Sequence, residues 1–270
     1  MLAHGWVLTH RHWDEVVERL VAERPDVTVV RWDQRGHGLS TRGRLRVPTS
    51  MDHLGHDLQR VLKAVAPEGP LVLAGHSMGG MGLMAWARMH PDTADARLLG
   101  TLLLSTAVAG LAPERPGRFV PGAMRLLHRA PPASRLPRLP PRLARRRAWG
   151  PLTPDEVIKR SAAGDGWVSA NALGGWYPAL MAHDESEGLQ VLGRHPVRVL
   201  VGELDRVTPV RFTEAIADAL PDAVVDVVPE RGHMLARECP DLVVQHLLEL
   251  LATDARREPS PPSPVRQEGS

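Results

Sequence analysis

A serine flanked by glycines lies where a short apolar run ends. Residues 75 to 80 read Gly-His-Ser-Met-Gly-Gly and directly follow Leu71–Ala74. A serine hydroxyl is a weak nucleophile, but a sharp strand-to-helix turn lifts it clear of a sheet, and flanking glycines make room for the strained backbone. Such a turn also leaves the amide of Met78 at a helix N-terminus, where it can stabilise a developing oxyanion. The pattern predicts Ser77 as a nucleophile.

A nucleophilic serine needs a base, and the base needs an acid that orients it. Asp205 closely follows the apolar run Val197–Val201, and His233 closely follows Val224–Val228. Because ligands and reactive groups of an open parallel sheet gather at the carboxyl ends of its strands, we expect both side chains near Ser77. The order serine, acid, histidine is also one in which such triads occur. The sequence therefore predicts a triad of Ser77, His233 and Asp205.

Other polar residues offer alternatives to this assignment. Glu203 is two residues from Asp205 and could serve as the acid. His76 adjoins Ser77, but neighbours on such a turn point apart, so we expect it to pack. Asp33 follows an apolar run before the serine, and we interpret it as a structural residue of its loop. Taken alone, Asp205 would be read as a turn aspartate, and only the joint pattern favours the triad.

The second oxyanion donor is predicted at the start of the chain. In His4-Gly5-Trp6 the glycine permits a close backbone approach, so that the Trp6 amide can turn towards a carbonyl oxygen. The two predicted donors are therefore the amides of Trp6 and Met78.

Short apolar runs alternate with amphipathic helical stretches along most of the chain. Continuous apolar strands between helices predict a mostly parallel sheet covered on both faces. The predicted strands are Val27–Trp32, Leu71–Ala74, Thr101–Ser105, Val197–Val201 and Val224–Val228. The predicted helices are Trp13–Ala22, Met51–Ala66, Met81–Met89, Val210–Ala219 and Asp241–Thr253.

Residues 110–190 break this alternation and predict a helical lid above a core formed by residues 1–109 and 191–253. We expect short helices at Ala123–His128, Pro154–Ala163 and Ala170–Leu180, and no clear strand. From Arg115 to Arg147 there are ten arginines and no acid. This is either a solvated helical surface or a face for anions or lipid headgroups. Residues 254–270 are polar and proline-rich, and we expect a disordered tail.

Composition excludes several classes of protein. A net charge of +2 does not indicate nucleic-acid binding, and a single cysteine, Cys239, excludes an intramolecular disulfide. No apolar run is long enough for a membrane span, and no signal peptide opens the sequence, so we expect a cytoplasmic protein. Histidine pairs without a supporting cysteine or carboxylate cluster do not indicate a metal site. The sequence lacks phosphate-binding glycine motifs, and we expect no cofactor.

Taken together, these motifs resemble the α/β-hydrolase superfamily, specifically its lid-bearing esterase and lipase-like branch. The resemblance runs from Met1 to about Ala252 and leaves the predicted lid unmatched. It rests on His4-Gly5-Trp6, on Trp32-Asp33-Gln34-Arg35-Gly36-His37-Gly38-Leu39-Ser40, on the Ser77 turn, on Gly202-Glu203-Leu204-Asp205 with Pro209, and on Gly232-His233. It implies an α/β fold with a mostly parallel sheet flanked by helices, with Ser77 as nucleophile, His233 as base and Asp205 as orienting acid.

The sequence departs from this family at its beginning. Such proteins normally start with two further strands and a full third strand before the His-Gly turn, whereas only Met1-Leu2-Ala3 precede His4 here. We therefore expect N-terminal strands to be missing, through a misplaced start or a truncated chain.

We expect hydrolysis of a carboxylic ester through an acyl-enzyme, with a small-molecule ester or acyl compound as substrate. Four aromatic residues of the predicted lid would line an acyl pocket, or would simply pack within the lid. These are Trp149, Trp167, Trp176 and Tyr177. The same triad could also serve carbon–carbon bond hydrolysis, perhydrolysis or acyl transfer, and a third alternative is a binding protein without catalysis. The arginine-rich part of the lid either contacts lipid at a membrane surface or is only a solvated surface.

Overall fold

The computed structural model describes residues 1–41, 49–112, 120–131 and 134–253. Its strands form a five-stranded sheet and a separate two-stranded one. In chain order the strands are β1 (Leu2–Ala3), β2 (Leu71–His76), β3 (Leu98–Leu104), β4 (Arg135–Leu136), β5 (Val168–Ser169), β6 (Val197–Gly202) and β7 (Val224–Val228).

The helices lie between these strands, with a short 3₁₀ helix at His10–Trp13. They are α1 (Asp14–Glu23), α2 (Met51–Val65), α3 (Met78–Met89), α4 (Pro91–Arg97), α5 (Val120–His128), α6 (Pro141–Ala148), α7 (Asp155–Asp165), α8 (Ala170–Ala182), α9 (Ser186–Leu192), α10 (Val210–Ala219), α11 (Leu235–Glu238) and α12 (Pro240–Leu251).

The larger sheet is parallel throughout, in the order β1-β2-β3-β6-β7. Its central strand β3 is buried along its whole length, as expected for a strand covered on both faces. The register pairs His76 with Leu104 and Leu104 with Leu200. The predicted mostly parallel α/β sheet is confirmed. The same register brings the carboxyl ends of β2, β6 and β7 to one edge of the sheet.

Apolar side chains alternate between the two faces of the sheet and form two separate cores. Leu73, Leu103 and Val199 face the cluster that contains Met81 and Trp86 of α3. Their neighbours along the strands face a second cluster with Trp13, Val16 of α1 and Leu247 of α12; they are Ala74, Leu102 and Leu200. Apolar residues on both faces are expected for strands that helices cover on each side of the sheet.

The predicted strand Val27–Trp32 is wrong as a strand. The segment runs beside β1, where Val30 O accepts the Leu2 amide at 2.8 Å and Arg31 forms an isolated parallel bridge with Leu2. Since β1 has only two residues, no ladder can develop. β3 begins three residues before the predicted Thr101, because Leu98 already pairs with Leu71 of β2.

The segment predicted as a lid carries helices α5 to α8 within its described residues. It also holds one small antiparallel pair, β4 with β5, although no strand was expected there. Because β4 and β5 have only two residues each, neither produces a recognisable apolar pattern in the sequence. Helix α6 was not predicted, because its many arginines hide any apolar periodicity. The predicted tail, residues 254–270, lies outside the described residues. Within the described ranges, no helix has the length and apolar character that crossing a bilayer requires.

Candidate active site

Ser77 occupies a strained turn between β2 and α3. Its φ of 53° and ψ of −122° lie in a region that side-chain-bearing residues seldom adopt. The turn is held because the Ser77 amide donates to Leu104 O at 2.9 Å and the Thr106 hydroxyl donates to Ser77 O at 2.8 Å. Hydrogen bonds with β3 and with the loop that follows it therefore hold Ser77 in this strained conformation.

The glycines around Ser77 are required by close packing of the backbone. A Cβ placed on Gly79 would lie 2.3 Å from Ala3 O, and a Cβ on Gly75 would lie 2.6 Å from the Gly80 Cα. Neither distance can be accommodated without moving main chain. The glycine pattern thus lets the first turn of α3 approach both β1 and β2.

His233 and Asp205 form a buried hydrogen-bonded pair. The distance from His233 Nδ1 to Asp205 Oδ2 is 2.7 Å, and Ser77, Asp205 and His233 are only 7%, 4% and 6% exposed. Asp205 accepts, so Nδ1 carries the proton and Nε2 keeps a free lone pair when the ring is neutral. Such a ring can take a proton from an adjacent hydroxyl.

Asp205 stays ionised because its environment outweighs its burial. Burial alone would raise its pKa, but the charge of His233 and three hydrogen bonds, from His233 and from the amides of Thr208 and Val207, lower it below the usual value. The amides of Val207 and Thr208 donate to Oδ1 at 2.8 and 2.9 Å, and the Thr208 hydroxyl donates to Oδ2 at 2.9 Å. A charged carboxylate here can orient the imidazole and stabilise its protonated form.

His76 joins the loop of His233 to the turn of Ser77. Its Nε2 lies 2.8 Å from His233 O, so that nitrogen donates, and the two rings are 4.7 Å apart between centroids. Desolvation lowers the pKa of His76 to about 3, followed by the charge of His233 as a second cause. The ring is therefore neutral and does not oppose a positive charge on His233.

The His4-Gly5-Trp6 turn lies against Ser77, as its proposed oxyanion role requires. A Cβ on Gly5 would lie 3.2 Å from Ser77 Cβ and 2.8 Å from His76 Nδ1. The turn closes through the Leu8 amide, which donates to Gly5 O at 3.3 Å, and Val7 has a φ of 58°. The Met78 amide begins α3, where the first amides have no partner within the helix.

Hydrogen bonds from the loop that contains Asp33 and Gln34 hold the His4-Gly5-Trp6 turn in place. The Gln34 amide donates to His4 Nε2 at 2.8 Å, and desolvation lowers the pKa of His4 to about 4. Asp33 accepts the amides of His10 and Leu39 at 2.8 and 2.9 Å. The carboxylate of Asp33 thus bonds to loop backbone, in line with the structural role predicted for it.

The four aromatic residues predicted to line a pocket lie in different surroundings. Trp149 packs with Leu8 and Met234, next to His233. Trp176 is fully buried and donates to Arg35 O at 3.1 Å, which is a packing role. Tyr177 is half-buried, 6.5 Å from the Trp6 ring, and Trp167 is 65% exposed beside a separate cavity. The structure therefore does not bring the four together.

One contact of the site was not predicted from the sequence. Thr208 contacts both Asp205 and His233, with its hydroxyl 3.3 Å from His233 Nδ1. A threonine three residues after an aspartate is a common turn pattern and gave the only signal. Glu203, the alternative acid, is exposed and accepts the Glu230 amide at 3.0 Å instead. Among the described residues, no cluster of three histidine, cysteine or acidic side chains could hold a metal ion.

Comparison with known proteins gives a family and several related structures. The model of the family described as serine aminopeptidase, S33, matches residues 1–240. A thermophilic esterase from Thermogutta terrifontis is 25% identical with a TM-score of 0.72, over 93% of this chain and 88% of that one. A monoacylglycerol lipase from Paleococcus ferrophilus is 22% identical, TM-score 0.64, over 93% of each chain. A hydrolase from Pseudomonas aeruginosa PA01 is 23% identical, TM-score 0.68, over 93% and 88%.

Proposed function

Since the chain belongs to the serine aminopeptidase S33 family of α/β-hydrolases, we propose that it hydrolyses a carboxylic ester through an acyl-enzyme on Ser77. The observation that carries this proposal is the buried pair His233 Nδ1 to Asp205 Oδ2, at 2.7 Å, tied by His76 to the turn of Ser77. The esterase and lipase among the similar structures support an ester as the bond that is cleaved.

In the first half of the reaction, Ser77 attacks the ester carbonyl. His233 Nε2 takes the hydroxyl proton as the Oγ–C bond forms, and Asp205 stabilises the resulting imidazolium. The amides of Trp6 and Met78 donate hydrogen bonds to the carbonyl oxygen and stabilise the negative charge that develops there. His233 then gives its proton to the leaving alcohol as the carbon–oxygen bond breaks, which leaves an acyl group on Ser77.

In the second half, water attacks the acyl group with the same residues in the same roles. His233 removes a proton from the water, and the tetrahedral oxyanion forms again between Trp6 and Met78. Collapse of this intermediate releases the acid and returns the proton to Ser77 Oγ. Each residue thus regains its starting state.

We also propose residues 110–190 as a lid over this site, with a surface for lipid-like substrates. Leu126, Leu139 and Leu143 are exposed apolar residues there, and Arg146 and Arg147 are exposed as well. Apolar and cationic side chains together favour amphipathic esters at an anionic surface. We also propose a cytoplasmic location for the protein.

Ester turnover tests the proposed function. The purified chain is assayed against 4-nitrophenyl esters of increasing acyl length, with Ser77→Ala as the inactive reference. We expect turnover by the parent chain and a loss of at least about 10⁴-fold in Ser77→Ala. Folded parent protein that turns over none of the esters would contradict the proposal.

A further inference from the structure

The chain leaves the proposed oxyanion donor, Trp6, through a strained residue. Val7 has a φ of 58°, a region that β-branched residues rarely adopt because their side chains crowd the backbone. Such a conformation persists only where the surrounding contacts hold it. The position of the Trp6 amide therefore depends on what holds the segment from Gly5 to Thr9, which we call the oxyanion turn.

Asp165 holds the far end of the oxyanion turn. Its Oδ1 accepts the Thr9 amide at 3.3 Å and the Thr9 hydroxyl at 2.9 Å. Asp165 is the last residue of α7, lies 156 residues from Thr9 along the chain and is 4% exposed. Its Oδ2 accepts the Ser161 hydroxyl at 3.4 Å. Because hydrogen bonds to a carboxylate are stronger than neutral ones, Asp165 fixes both the backbone and the side chain of Thr9.

The proposed lid contacts the oxyanion turn at two further points. Arg138 Nη2 donates to Val7 O at 2.8 Å, and the Trp6 indole donates to Ala172 O at 3.3 Å. Together with the bonds from Thr9, these contacts hold the strained residue and its neighbours on both sides. All the partners in these bonds come from the proposed lid.

Arg237 extends the contact to the segment that carries the proposed base. Its Nη2 lies 3.5 Å from Asp165 Oδ2 and donates to Arg11 O at 2.8 Å. Arg237 belongs to the short helix α11, which begins shortly after His233. The carboxylate of Asp165 therefore contacts the segment of the oxyanion donor through Oδ1 and the segment of the base through Oδ2.

We infer that Asp165 is a positioning residue that places the Trp6 amide for the oxyanion; this rests on the proposed ester hydrolysis. Asp165 acts through Thr9 rather than by contact with the reacting atoms. The oxyanion exists in the transition state and not in the bound ester. Loss of this placement therefore lowers kcat and leaves substrate binding almost unchanged.

Asp165→Asn keeps the shape of the side chain but leaves one acceptor atom. The amide oxygen can face Thr9 or Arg237, but not both. With the 4-nitrophenyl ester that the parent chain turns over fastest, we expect kcat to fall about 10-fold, the size of one hydrogen bond to a charged group, and KM to change less than about 2-fold. Asp155→Asn is the matched control and should keep the parent kcat, because Asp155 is exposed on the same helix and bonds to Arg145.

A double-mutant cycle with Gly5→Ala shows whether Asp165 acts through the oxyanion turn. Gly5→Ala displaces the Trp6 amide, so that Asp165 has no donor left to place. In that background, Asp165→Asn should lower kcat by less than about 2-fold more. Losses of kcat that multiply in the double variant would overturn the inference.

An alkyl trifluoromethyl ketone measures the oxyanion hole itself. Ser77 Oγ adds to its carbonyl carbon, the hydroxyl proton passes to His233, and the adduct carries an oxyanion like that of the tetrahedral intermediate. Its inhibition constant should rise in Asp165→Asn by the same factor by which kcat/KM falls. A residue that only stabilises the fold would lower the unfolding free energy and leave this constant unchanged, which would overturn the inference.

Hydrogen exchange tests the hold on the turn separately from activity. The amides of residues 5–9, followed by mass spectrometry, should exchange about 10-fold faster in Asp165→Asn than in the parent chain or in Asp155→Asn. If the parent chain turns over no ester, the proposed function fails, and this exchange alone decides whether Asp165 holds the turn. Equal exchange in the parent chain and Asp165→Asn would overturn the inference.

Variants of Thr9 give the same test if Asp165→Asn does not fold. Thr9→Val removes the hydroxyl that donates to Asp165 and keeps the shape of the side chain, whereas Thr9→Ser keeps the hydroxyl. We expect lower kcat and faster exchange of residues 5–9 in Thr9→Val, and recovery of both in Thr9→Ser. Equal kcat and equal exchange in the two variants would contradict the inference.

Discussion

The ring of His76 donates its Nε2 hydrogen to the carbonyl oxygen of His233 across 2.8 Å. This bond links the residue before the proposed nucleophile to the backbone of the proposed base. The two loops come from distant parts of the chain, 157 residues apart. Relative placement of Ser77 and His233 therefore depends on a contact outside the triad.

Loss of this contact should lower turnover more than substrate binding. In His76→Phe we expect kcat to fall about 10²-fold with KM nearly unchanged, because a base displaced by about 1 Å transfers the proton poorly. His76→Gln retains a side-chain N–H donor and should recover part of kcat. Steady-state kinetics on one neutral ester measures both. Equal kcat values in the two variants would show that the hydrogen bond does not position His233.

The carboxylate of Asp205 should be needed for the correct tautomer of His233. We expect Asp205→Asn to lower kcat roughly 10³- to 10⁴-fold, since an amide can neither fix the ring nor stabilise its charge. Glu203→Gln is the matched control, because Glu203 is exposed and bonds to the Glu230 amide. It should stay within about 2-fold of the parent. A larger loss of kcat in Glu203→Gln than in Asp205→Asn would show that Glu203, and not Asp205, is the orienting acid.

The oxyanion turn should not tolerate a side chain at Gly5. A Cβ there would lie 2.8 Å from His76 Nδ1 and 3.2 Å from Ser77 Cβ, so Gly5→Ala displaces the Trp6 amide. Loss of one oxyanion donor typically lowers kcat about 10²- to 10³-fold. Gly164→Ala on α7 is the control, since its Cβ would meet nothing within 4 Å. Unchanged kcat in a well-folded Gly5→Ala would remove Trp6 from the oxyanion hole.

Folding stability should fall as the pH drops below about 6.5. Desolvation lowers the pKa of the buried His4, His37 and His76 to about 4, 3 and 3, and lowers that of His12 well below its ordinary value. The unfolded chain then binds protons that the folded chain does not bind. Each ring therefore lowers the unfolding free energy by about 1.4 kcal/mol for each pH unit below that point. Glu185 acts in the opposite direction, because burial raises its pKa to about 7.

His12 gives a direct check of this pH dependence. Both of its ring nitrogens are buried without a hydrogen-bond partner among the described residues, so His12→Phe removes a titrating group and no hydrogen bond. We expect the slope of the unfolding free energy against pH, measured with urea between pH 5 and about pH 6.5, to be smaller by about 1.4 kcal/mol per pH unit in His12→Phe than in the parent chain. The parent slope in His12→Phe would contradict the assignment.

The order of reactive residues and the central strands could be predicted because both depend on local patterns. Leu71–Ala74 is a continuous apolar run, and Val224–Val228 matches β7 residue for residue. Val27–Trp32 is also mostly apolar but does not form a strand, since pairing also needs a partner strand of sufficient length. That requirement is set by β1, far away in sequence.

Contacts between distant loops could not be predicted for a similar reason. Nothing local to His76 indicates that its ring reaches His233, and the Arg135–Ser169 pairing rests on two strands of two residues each. The burial of Trp176 and the exposure of Trp167 also depend on how α8 packs, which composition does not report.

Covalent labelling of Ser77 tests the central claim most directly. Intact-mass and peptide analysis after reaction with a fluorophosphonate should show one adduct, on Ser77, in the parent chain and none in Ser77→Ala. Ser105→Ala is the matched control, because Ser105 is buried at the end of β3 with a φ of 44° yet has no proposed role. It should label as the parent does. An unlabelled but folded parent chain, or an adduct that persists in Ser77→Ala, would contradict the account.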